Sequence, residues 1–591
     1  MKQFFKFMFA SMTGSFILIV ILFFIFMGMV LSVASLSKKE VVIVPANSVL
    51  QLKLNEEIAD RSSSNPFNNF DFSSFNTTKS PGLNEILQNI KKAKTDDNIK
   101  GIFLDLGTIP SGIATIEEIR NALLDFKSSK KFIISYSEEY TQKAYYIASV
   151  SDKIYLYPEG ALDFKGLNGE VMFFKGLLDK LDVDVQILRH GKFKSAVEPF
   201  VLDKMSEPNK EQTLKYISGI WNQMLEGISE SRKMSVAQLN GIADSFKIQK
   251  AQDAVTYKLV DKLMYKDELL AELRNLLGIG KKEKINSISL QKYTSVPDKT
   301  KKIHKTKDKI AVIYALGEIV SGKGDDETIG SDRISEAIRK ARLDSAVKAI
   351  VLRVNSPGGS ALASDVIWRE VTLSKKTKPV VVSMGDVAAS GGYYIACAAT
   401  RIVADPTTLT GSIGVFGLIP NLKGLYNNKL GVSFDNVKTN NYADIGSTYR
   451  PLTKSEENIY QTSVENIYET FITHVAEGRG MTKEKVDSIG QGRVWNGVDA
   501  IKIGLIDEFG GLEKSIEIAA KLAKIEEYKI QSLPAQKDPF TQIMEELSGE
   551  STDQTILKNK LGELFEFYNY IQYVKNTKGV QARIPYTIKI Y

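Results

Sequence analysis

The chain contains two copies of one sequence pattern, and this internal repeat constrains its fold more than any other feature. Residues 100–158 align without a gap with residues 348–406, and residues 253–261 align with residues 499–507. Two tandem copies of one domain are the simplest explanation of such self-similarity. The copies differ at two turns, where the second reads NSPG and ASGG and the first reads GTIP and TQKA. Only the second copy therefore presents a candidate serine nucleophile there.

Composition is typical of a large globular protein and excludes several classes of function. Of the 591 residues, 43% are hydrophobic and 25% are charged, so large buried cores are available. The net charge of +7, from 77 basic and 70 acidic residues, is too small to indicate a nucleic-acid partner. The single cysteine, Cys397, excludes an intramolecular disulfide and a cysteine-rich metal site.

The amino terminus has the pattern of a membrane anchor. No charged residue occurs between residues 7 and 37, and residues 17–31 are almost wholly apolar. A helix of this kind is able to cross about 30 Å of hydrocarbon. The apolar run is longer than the roughly 7–15 residues typical of a cleaved signal peptide, which favours a retained single-pass anchor. Because lysines flank the run on both sides, the predicted outward-facing body depends on the short basic amino-terminal flank, which normally stays cytoplasmic.

Alternating strand and helix patterns after the anchor predict βαβ units and a parallel sheet in each copy. The polar, cationic segment 297–308 is typical of an interdomain linker. The predicted division is 1–40 for the anchor, 41–81 for a strand and a mobile loop, 82–296 for the first repeat, 297–308 for the linker, 309–527 for the second repeat, and 528–591 for a carboxy-terminal extension that ends in a strand.

Ser390 is the candidate nucleophile. It follows the strand-like run 380–383 and precedes two glycines and an apolar helical pattern, which indicates a tight strand-to-helix turn. Such a turn exposes a side chain, and small neighbours let a substrate backbone approach it. The same residues are also typical of a plain glycine-rich turn or a helix cap, so this motif alone does not decide its function.

A second turn supplies candidate donors for an oxyanion. Residues 355–359 (NSPGG) directly follow the apolar strand 350–354. Consecutive glycines at a strand end leave backbone N–H groups free to stabilise a developing negative charge, which is worth about 3 kcal/mol per donor, although a simple βα turn uses the same residues. Because the carboxyl ends of neighbouring strands meet at one edge of an open α/β sheet, we expect this turn to lie close to Ser390.

The candidate base is a lysine, because the chain has only three histidines and two of them lie in the linker and in an amphipathic helical pattern. The third, His190, directly precedes segment 191–200 (GKFKSAVEPF) of the first repeat. A lysine acts as a base when burial lowers its pKa from about 10.4 toward 7. If the segment is extended, Lys192 and Lys194 project to the same face, and spacing cannot choose between them.

Segments 191–200 and 382–393 (VSMGDVAASGGY) closely resemble the long, tandem form of the bacterial signal peptide peptidase family, also called protease IV. The resemblance covers most of the chain, including the anchor and the motif at 582–586. It implies an α/β fold of the Clp protease and crotonase superfamily, with tandem domains of repeated ββα units after one transmembrane helix. It also implies a homo-oligomer, a tetramer, that encloses the active sites.

The family pattern implies roles for five residues of this chain. Ser390 matches the nucleophile and Lys194 the general base. The N–H groups of Gly358 and Gly391 match the oxyanion hole, and Ser412 matches the serine that positions the lysine. The two repeats would then each supply half of the dyad, which must form where they meet. No metal and no cofactor is expected.

The resemblance implies a membrane-anchored serine–lysine endopeptidase on the outer, periplasmic side of the bacterial cytoplasmic (inner) membrane, with cleaved signal peptides as substrates. Two other classes of function are compatible with single motifs. A crotonase-like acyl-CoA enzyme would use the glycine N–H pair on a thioester, without a nucleophilic serine or an anchor. A non-catalytic membrane scaffold would have no need of Ser390, Lys194 and Ser412 together.

Overall fold

The computed structural model describes residues 2–36, 42–62, 70–71, 76–77, 81–298, 306–536, 580–584 and 589–590. Its first element is helix α1 (Lys2–Leu36), which contains a candidate membrane span at Gln3–Ile21. Within the described ranges it is the one helix long and apolar enough to cross a bilayer, so the predicted amino-terminal apolar helix is confirmed. Most of the predicted mobile loop and the centre of the predicted linker, including His304, fall outside the described residues.

The first half of the chain contributes ten strands and, after α1, ten helices to the described structure. The strands are β1 (Ser48–Leu52), β2 (Phe70–Asp71), β3 (Asn76–Thr77), β4 (Ile99–Asp105), β5 (Phe132–Tyr140), β6 (Lys153–Leu162), β7 (Gly169–Glu170), β8 (Asp184–Arg189), β9 (Lys262–Leu263) and β10 (Asn286–Ser289). The helices are α2 (Leu83–Thr95), α3 (Ile113–Lys127), α4 (Gln142–Ala148), α5 (Lys175–Lys180), α6 (Glu198–Val201), α7 (Glu207–Arg232), α8 (Val236–Asp244), α9 (Ala251–Thr256), α10 (Lys266–Leu277) and α11 (Leu290–Thr294).

The second half continues the same alternation of strand and helix. Its described strands are β11 (Lys309–Leu316), β12 (Glu318–Val320), β13 (Thr328–Gly330), β14 (Val347–Ser356), β15 (Gly358–Ser360), β16 (Val380–Ala389), β17 (Arg401–Ala404), β18 (Leu409–Gly411), β19 (Phe416–Asn421), β20 (Val494–Asn496), β21 (Glu508–Phe509), β22 (Lys529–Leu533), β23 (Gln581–Arg583) and β24 (Lys589–Ile590). Its described helices are α12 (Ser331–Leu343), α13 (Ala361–Lys375), α14 (Gly391–Ala396), α15 (Lys454–Arg479), α16 (Lys483–Ile489), α17 (Gly497–Lys502) and α18 (Leu512–Ala523).

The two halves form parallel sheets with the same strand order. The first sheet runs β10-β1-β4-β5-β6-β9, and the second contains the matching path β22-β11-β14-β16-β17-β21. Each adjacent pair along both paths is parallel. The prediction of tandem α/β copies with parallel sheets is therefore confirmed. Strand β1 precedes residue 82 and β22 follows residue 527, so each sheet includes a strand from outside the repeat as delimited from the sequence.

The central strands of the second sheet are buried because helices cover both faces. Along β11, Ala311 and Ile313 pack in the cluster that includes residues of α12 and α13, while Ile310 and Val312 pack against α18. This alternation follows the two-residue period of a strand. A strand buried on both faces reads as a continuous apolar run, which is the pattern of β11, β14 and β16.

A third, mixed sheet joins the two repeats. Its order is β13-β12-β15-β23-β19-β8, and β8 of the first repeat pairs antiparallel with β19 of the second over six residues, from Phe416 opposite Arg189 to Asn421 opposite Asp184. The chain leaves β8 directly into segment 191–194. The sheet therefore holds the lysine-bearing segment of the first repeat against the second repeat.

Buried charges also cross the contact between the repeats. The guanidinium of Arg353 on β14 donates to Glu118 of α3 and to Asp60, each at 2.6 Å, and all three side chains are buried. Asp386, within β16, accepts bonds from the backbone N–H and the hydroxyl of Thr115 at 3.0 and 2.6 Å. Because such groups are costly to bury without partners, these pairs fix the register of one repeat on the other.

Candidate active site

Lys194 lies in an irregular segment that the second repeat supports. The backbone N–H of Phe193 donates to the carbonyl of Gln491 at 3.1 Å, and a methyl group built on Gly492 would lie 2.6 Å from Cβ of Lys194. After Lys194 the chain forms one 3₁₀ turn, Ser195–Val197, and then α6. The close approach of Gly492, whose φ is +85°, needs a residue without a side chain.

Ser390 lies at the turn from β16 to α14 in a strained backbone conformation. Its φ and ψ are +55° and −113°, a region that costs a non-glycine residue about 1–3 kcal/mol. The conformation is held by bonds on both sides, since its N–H donates to the carbonyl of Gly411 and its carbonyl accepts from Tyr394, each at 2.8 Å. The serine is thus fixed at the carboxyl end of β16, as the motif predicts.

The structure brings Lys194, Ser390 and Ser412 together. Nζ of Lys194 lies 2.7 Å from Oγ of Ser390, 3.1 Å from Oγ of Ser412 and 3.2 Å from the carbonyl oxygen of Ser412. The lysine comes from the first repeat and both serines from the second. This contact places a serine hydroxyl and an amine within the distance that proton transfer needs.

Burial disfavours the charged form of the Lys194 amine. Lys194 is fully buried, and desolvation by burial lowers the pKa of its ammonium well below the usual value of 10.5. Its partners at the site, Ser390 and Ser412, are also fully buried and carry no charge. A neutral amine has a lone pair with which to accept a proton from a hydroxyl.

The glycine turn lies beside this pair. A methyl group built on Gly358, whose φ is +100°, would lie 2.8 Å from the backbone nitrogen of Gly391. The N–H of Gly358 donates to Oγ of Ser356 at 3.1 Å. Gly358 of β15 therefore lies close to the backbone nitrogen of Gly391, which follows Ser390 at the start of α14.

An extended segment from the carboxy-terminal region pairs with the glycine turn. Strand β23 runs antiparallel to β15, with Gly359 opposite Ala582, and it pairs with β19 on its other side through Phe416 and Gln581. Ala582 is fully buried, and its carbonyl oxygen would lie 2.1 Å from a methyl group on Gly358. Strand β15 thus has a neighbour on each side, β12 and β23, and the carboxy-terminal segment lies extended beside the glycine turn.

The alternative candidate bases, one lysine and two histidines, do not contact Ser390. Lys192 is exposed, and its Nζ lies over the ring of Phe193, 5.4 Å from the centroid. His190 Nδ1 is 2.5 Å from Glu465, and His474 Nε2 is 3.2 Å from Asp365. The structure therefore separates the two lysines that the sequence left equivalent. Within the described ranges, no group of three or more histidine, cysteine or acidic side chains is arranged to hold a metal.

Sequence reasoning missed several groups around the site. The carbonyl of Gly414 accepts from Oγ of Ser390 at 3.3 Å, and the hydroxyl of Ser356 accepts from Gly358. Ser356 belongs to the NSPGG turn and Gly414 lies two residues after Ser412, so their proximity to the site could have been inferred. No sequence motif marks segment 491–494, because it supports Lys194 only through contacts between the two repeats.

Known proteins resemble this chain over most of its length. The sequence pattern of peptidase family S49 matches this chain twice, at residues 125–280 and 372–526. The chain is 38% identical over 447 residues to Protease 4 of Haemophilus influenzae, which covers 73% of this chain and 72% of that protein. It is 39% identical over 477 residues to Protease 4 of Salmonella typhi, with 79% and 76% covered. A solved ClpP1 mutant from Listeria monocytogenes matches 35% of this chain and 94% of its own, with 15% identity and a TM-score of 0.24.

Proposed function

Because the chain belongs to peptidase family S49, and is thus a serine protease, we propose that it is an endopeptidase in which Ser390 is the nucleophile and neutral Lys194 is the general base. The observation that carries the proposal is the 2.7 Å contact between Lys194 Nζ and Ser390 Oγ in a fully buried site. Burial supplies the uncharged amine that the reaction requires.

In the proposed reaction, Lys194 takes the hydroxyl proton as Ser390 Oγ bonds to the scissile carbonyl carbon. The resulting ammonium donates that proton to the amide nitrogen, the C–N bond breaks, and an acyl-enzyme remains. Lys194 then takes a proton from water as the water oxygen bonds to the ester carbon. The ammonium returns that proton to Ser390 Oγ as the ester C–O bond breaks, which releases the acid and restores the serine hydroxyl and the neutral amine. Ser412 holds Nζ on this path through its hydroxyl and its carbonyl.

The backbone N–H groups of Gly358 and Gly391 stabilise the oxyanion in this proposal. Their adjacency to each other and to Ser390 supports the assignment. The hydroxyl of Ser356, a neutral acceptor, would give way to an oxyanion, which is the stronger acceptor for Gly358 N–H. Each such donor is worth about 2.7–4 kcal/mol in the transition state.

Extended peptides are the proposed substrates, and cleaved signal peptides are the class we favour. The antiparallel pairing of β23 with β15 supports an extended ligand, because here the chain's own carboxy-terminal segment lies extended beside the glycine turn. Helix α1 supports membrane anchoring, which would place the catalytic body next to the apolar fragments that signal peptides become. We propose the outer side of the bacterial inner membrane as its location.

A homo-oligomer, with a tetramer as the expected form, completes the proposal. Its support is an apolar surface in the second repeat, at a position near the one that the lysine segment occupies in the first. Five large apolar side chains are exposed within residues 430–442, where polar and charged residues separate them: Leu430, Val432, Phe434, Val437 and Tyr442. Exposed apolar patches of this kind mark protein interfaces.

The pH dependence of hydrolysis tests the proposed base. Because the pKa of Lys194 is lowered well below 10.5, we expect kcat/KM for a peptide ester to rise with pH along one ionisation below that value and then to level off. The sign follows from the charge: the inactive ammonium predominates below this pKa, and the active amine above it. Ser412→Ala is expected to move the profile without unfolding the protein. A flat profile from weakly acidic to alkaline pH would exclude a lysine base.

A methyl group at the glycine turn tests the oxyanion donors. Gly358→Ala places Cβ at a φ of +100°, 2.1 Å from the carbonyl oxygen of Ala582 and 2.8 Å from the nitrogen of Gly391, so the turn must shift. We expect kcat to fall by about 10²- to 10³-fold. The matched control is Gly278→Ala, where φ is also positive (+65°) but the methyl group meets nothing within 4 Å. If both variants keep parental kcat, the assignment of Gly358 is wrong.

Covalent labelling separates the protease from the two alternative classes. A fluorophosphonate bonds to an activated serine as fluoride leaves, so it should label the parent and leave Ser390→Ala unlabelled. A crotonase-like acyl-CoA enzyme has no activated serine, and a scaffold has neither activity nor label. Absence of labelling in the intact, folded parent would remove the proposed nucleophile.

A further inference from the structure

The side chain of Gln212 bridges the two repeats directly beneath the lysine segment. It lies on α7 and is almost completely buried. Its Nε2 donates to the carbonyl of Phe193 at 3.1 Å and to Oγ of Ser195 at 2.9 Å, the two residues that flank Lys194. Its Oε1 accepts from the backbone N–H of Val494 in the second repeat at 3.3 Å.

The same short stretch of the second repeat also contacts the other half of the site. The carbonyl of Arg493 accepts from the N–H of Ser412 at 2.7 Å, and the N–H of Gly492 donates to the carbonyl of Ile413 at 2.7 Å. Segment 491–494 therefore lies between the lysine segment and the loop of Ser412. The side chain of Gln212 connects segment 491–494 to Phe193 and Ser195, the residues on either side of Lys194.

We propose that Gln212 is a positioning residue for the general base. The hydrogen bonds of its side-chain amide hold segment 193–195 against segment 491–494 and so keep Nζ of Lys194 at Oγ of Ser390. The inference rests on the proposed role of Lys194. A glutamine suits the task because one amide donates to the first repeat and accepts from the second. Lys194 itself sits in irregular backbone, with ψ of +75° before a single 3₁₀ turn, so these bonds define its place.

The test replaces the amide with an apolar group of similar size. In Gln212→Met the carbonyl of Phe193, the hydroxyl of Ser195 and the N–H of Val494 lose this partner without a large cavity. We expect kcat for a peptide ester to fall by about 10²-fold, as small misplacements of catalytic groups do. KM should change little, since the hydrogen bonds of Gln212 go to Phe193, Ser195 and Val494 and not to the glycine turn of β15. The profile of kcat/KM should move to higher pH, because a loosened segment admits water and restores the charged lysine.

The control is Gln223→Met on the same helix. Gln223 donates to Glu117 at 3.1 Å, near the contact between repeats but away from the lysine segment, so its variant should keep the parental kcat and pH profile. The rate constants of fluorophosphonate labelling are compared between the parent and both variants. A rate constant measures the reactivity of the folded molecules, whereas the amplitude of labelling measures how many molecules are folded.

The outcomes distinguish this inference from the proposed function. If Lys194→Met is inactive while Gln212→Met retains the parental kcat and pH profile, Gln212 does not position the base, although the dyad stands. A lower melting temperature with an unchanged labelling rate and pH profile would likewise assign Gln212 a purely structural role and overturn the inference. If Lys194→Met itself keeps full activity, the proposed base is wrong and Gln212 has nothing to position.

Discussion

Replacing Lys194 with methionine is expected to reduce kcat/KM for a peptide ester by about 10²- to 10⁴-fold, the usual contribution of a general base. Methionine fills the same buried volume but has no lone pair able to take the proton of Ser390, 2.7 Å away. Ser390→Ala should be inactive as well, because no covalent intermediate can form. The measurement is the initial rate of ester hydrolysis on both sides of the pH at which the parent levels off.

Lys192→Met provides the matched control, since Lys192 is two residues away and exposed. Its kcat/KM should stay within about twofold of the parental value, as is usual for substitutions at exposed positions.

The stability of Lys194→Met gives a second check. Because the folded-state pKa of Lys194 lies below its unfolded value, unfolding takes up a proton between these two pKa values. This lysine therefore lowers the free energy of unfolding at every pH below about 10.5. Lys194→Met should therefore be at least as stable as the parent. Loss of activity together with loss of folding would not support the assignment.

Replacing Arg353 with methionine is expected to lower the free energy of unfolding by about 3–5 kcal/mol. The fully buried guanidinium joins β14 to Glu118 and Asp60, and it also donates to Oγ of Ser383 at 3.0 Å. Burial already raises the pKa of Glu118 despite the arginine beside it. Without the cation, two carboxylates would remain in the contact between the repeats with no positive partner. Denaturant unfolding of the detergent-solubilised protein measures the change.

The matched control is Arg339→Met, whose arginine is half exposed and pairs with Glu370 at 2.8 Å. Glu370 keeps a second partner, Arg342. Exposed ion pairs contribute little, so this variant should lose at most about 1 kcal/mol. Equal losses in the two variants would show that the buried pairs are not what joins the repeats.

The sequence predicted much of the fold because the fold is repetitive. Residues 100–158 and 348–406 share one pattern, and β4, β5 and β14, β16 occupy the same places in two sheets of the same order. Parallel strands covered on both faces leave long apolar runs, which any reading of hydropathy detects. The resemblance to the signal peptide peptidase family is confirmed by the match to peptidase family S49 and to Protease 4 relatives.

What the sequence determined by itself is local: a serine and two glycines at strand ends, an apolar amino-terminal helix, and a choice between two lysines. The tertiary structure decided which lysine. Lys194 is buried against Ser390 and Ser412, whereas Lys192, on the same segment, faces solvent. No spacing rule reaches that distinction, because the depth of a side chain depends on the partner packed over it. Here the partner is the second repeat. Its segment 491–494 contacts the lysine segment, and its strand β19 pairs with β8, only once the two repeats are folded and docked.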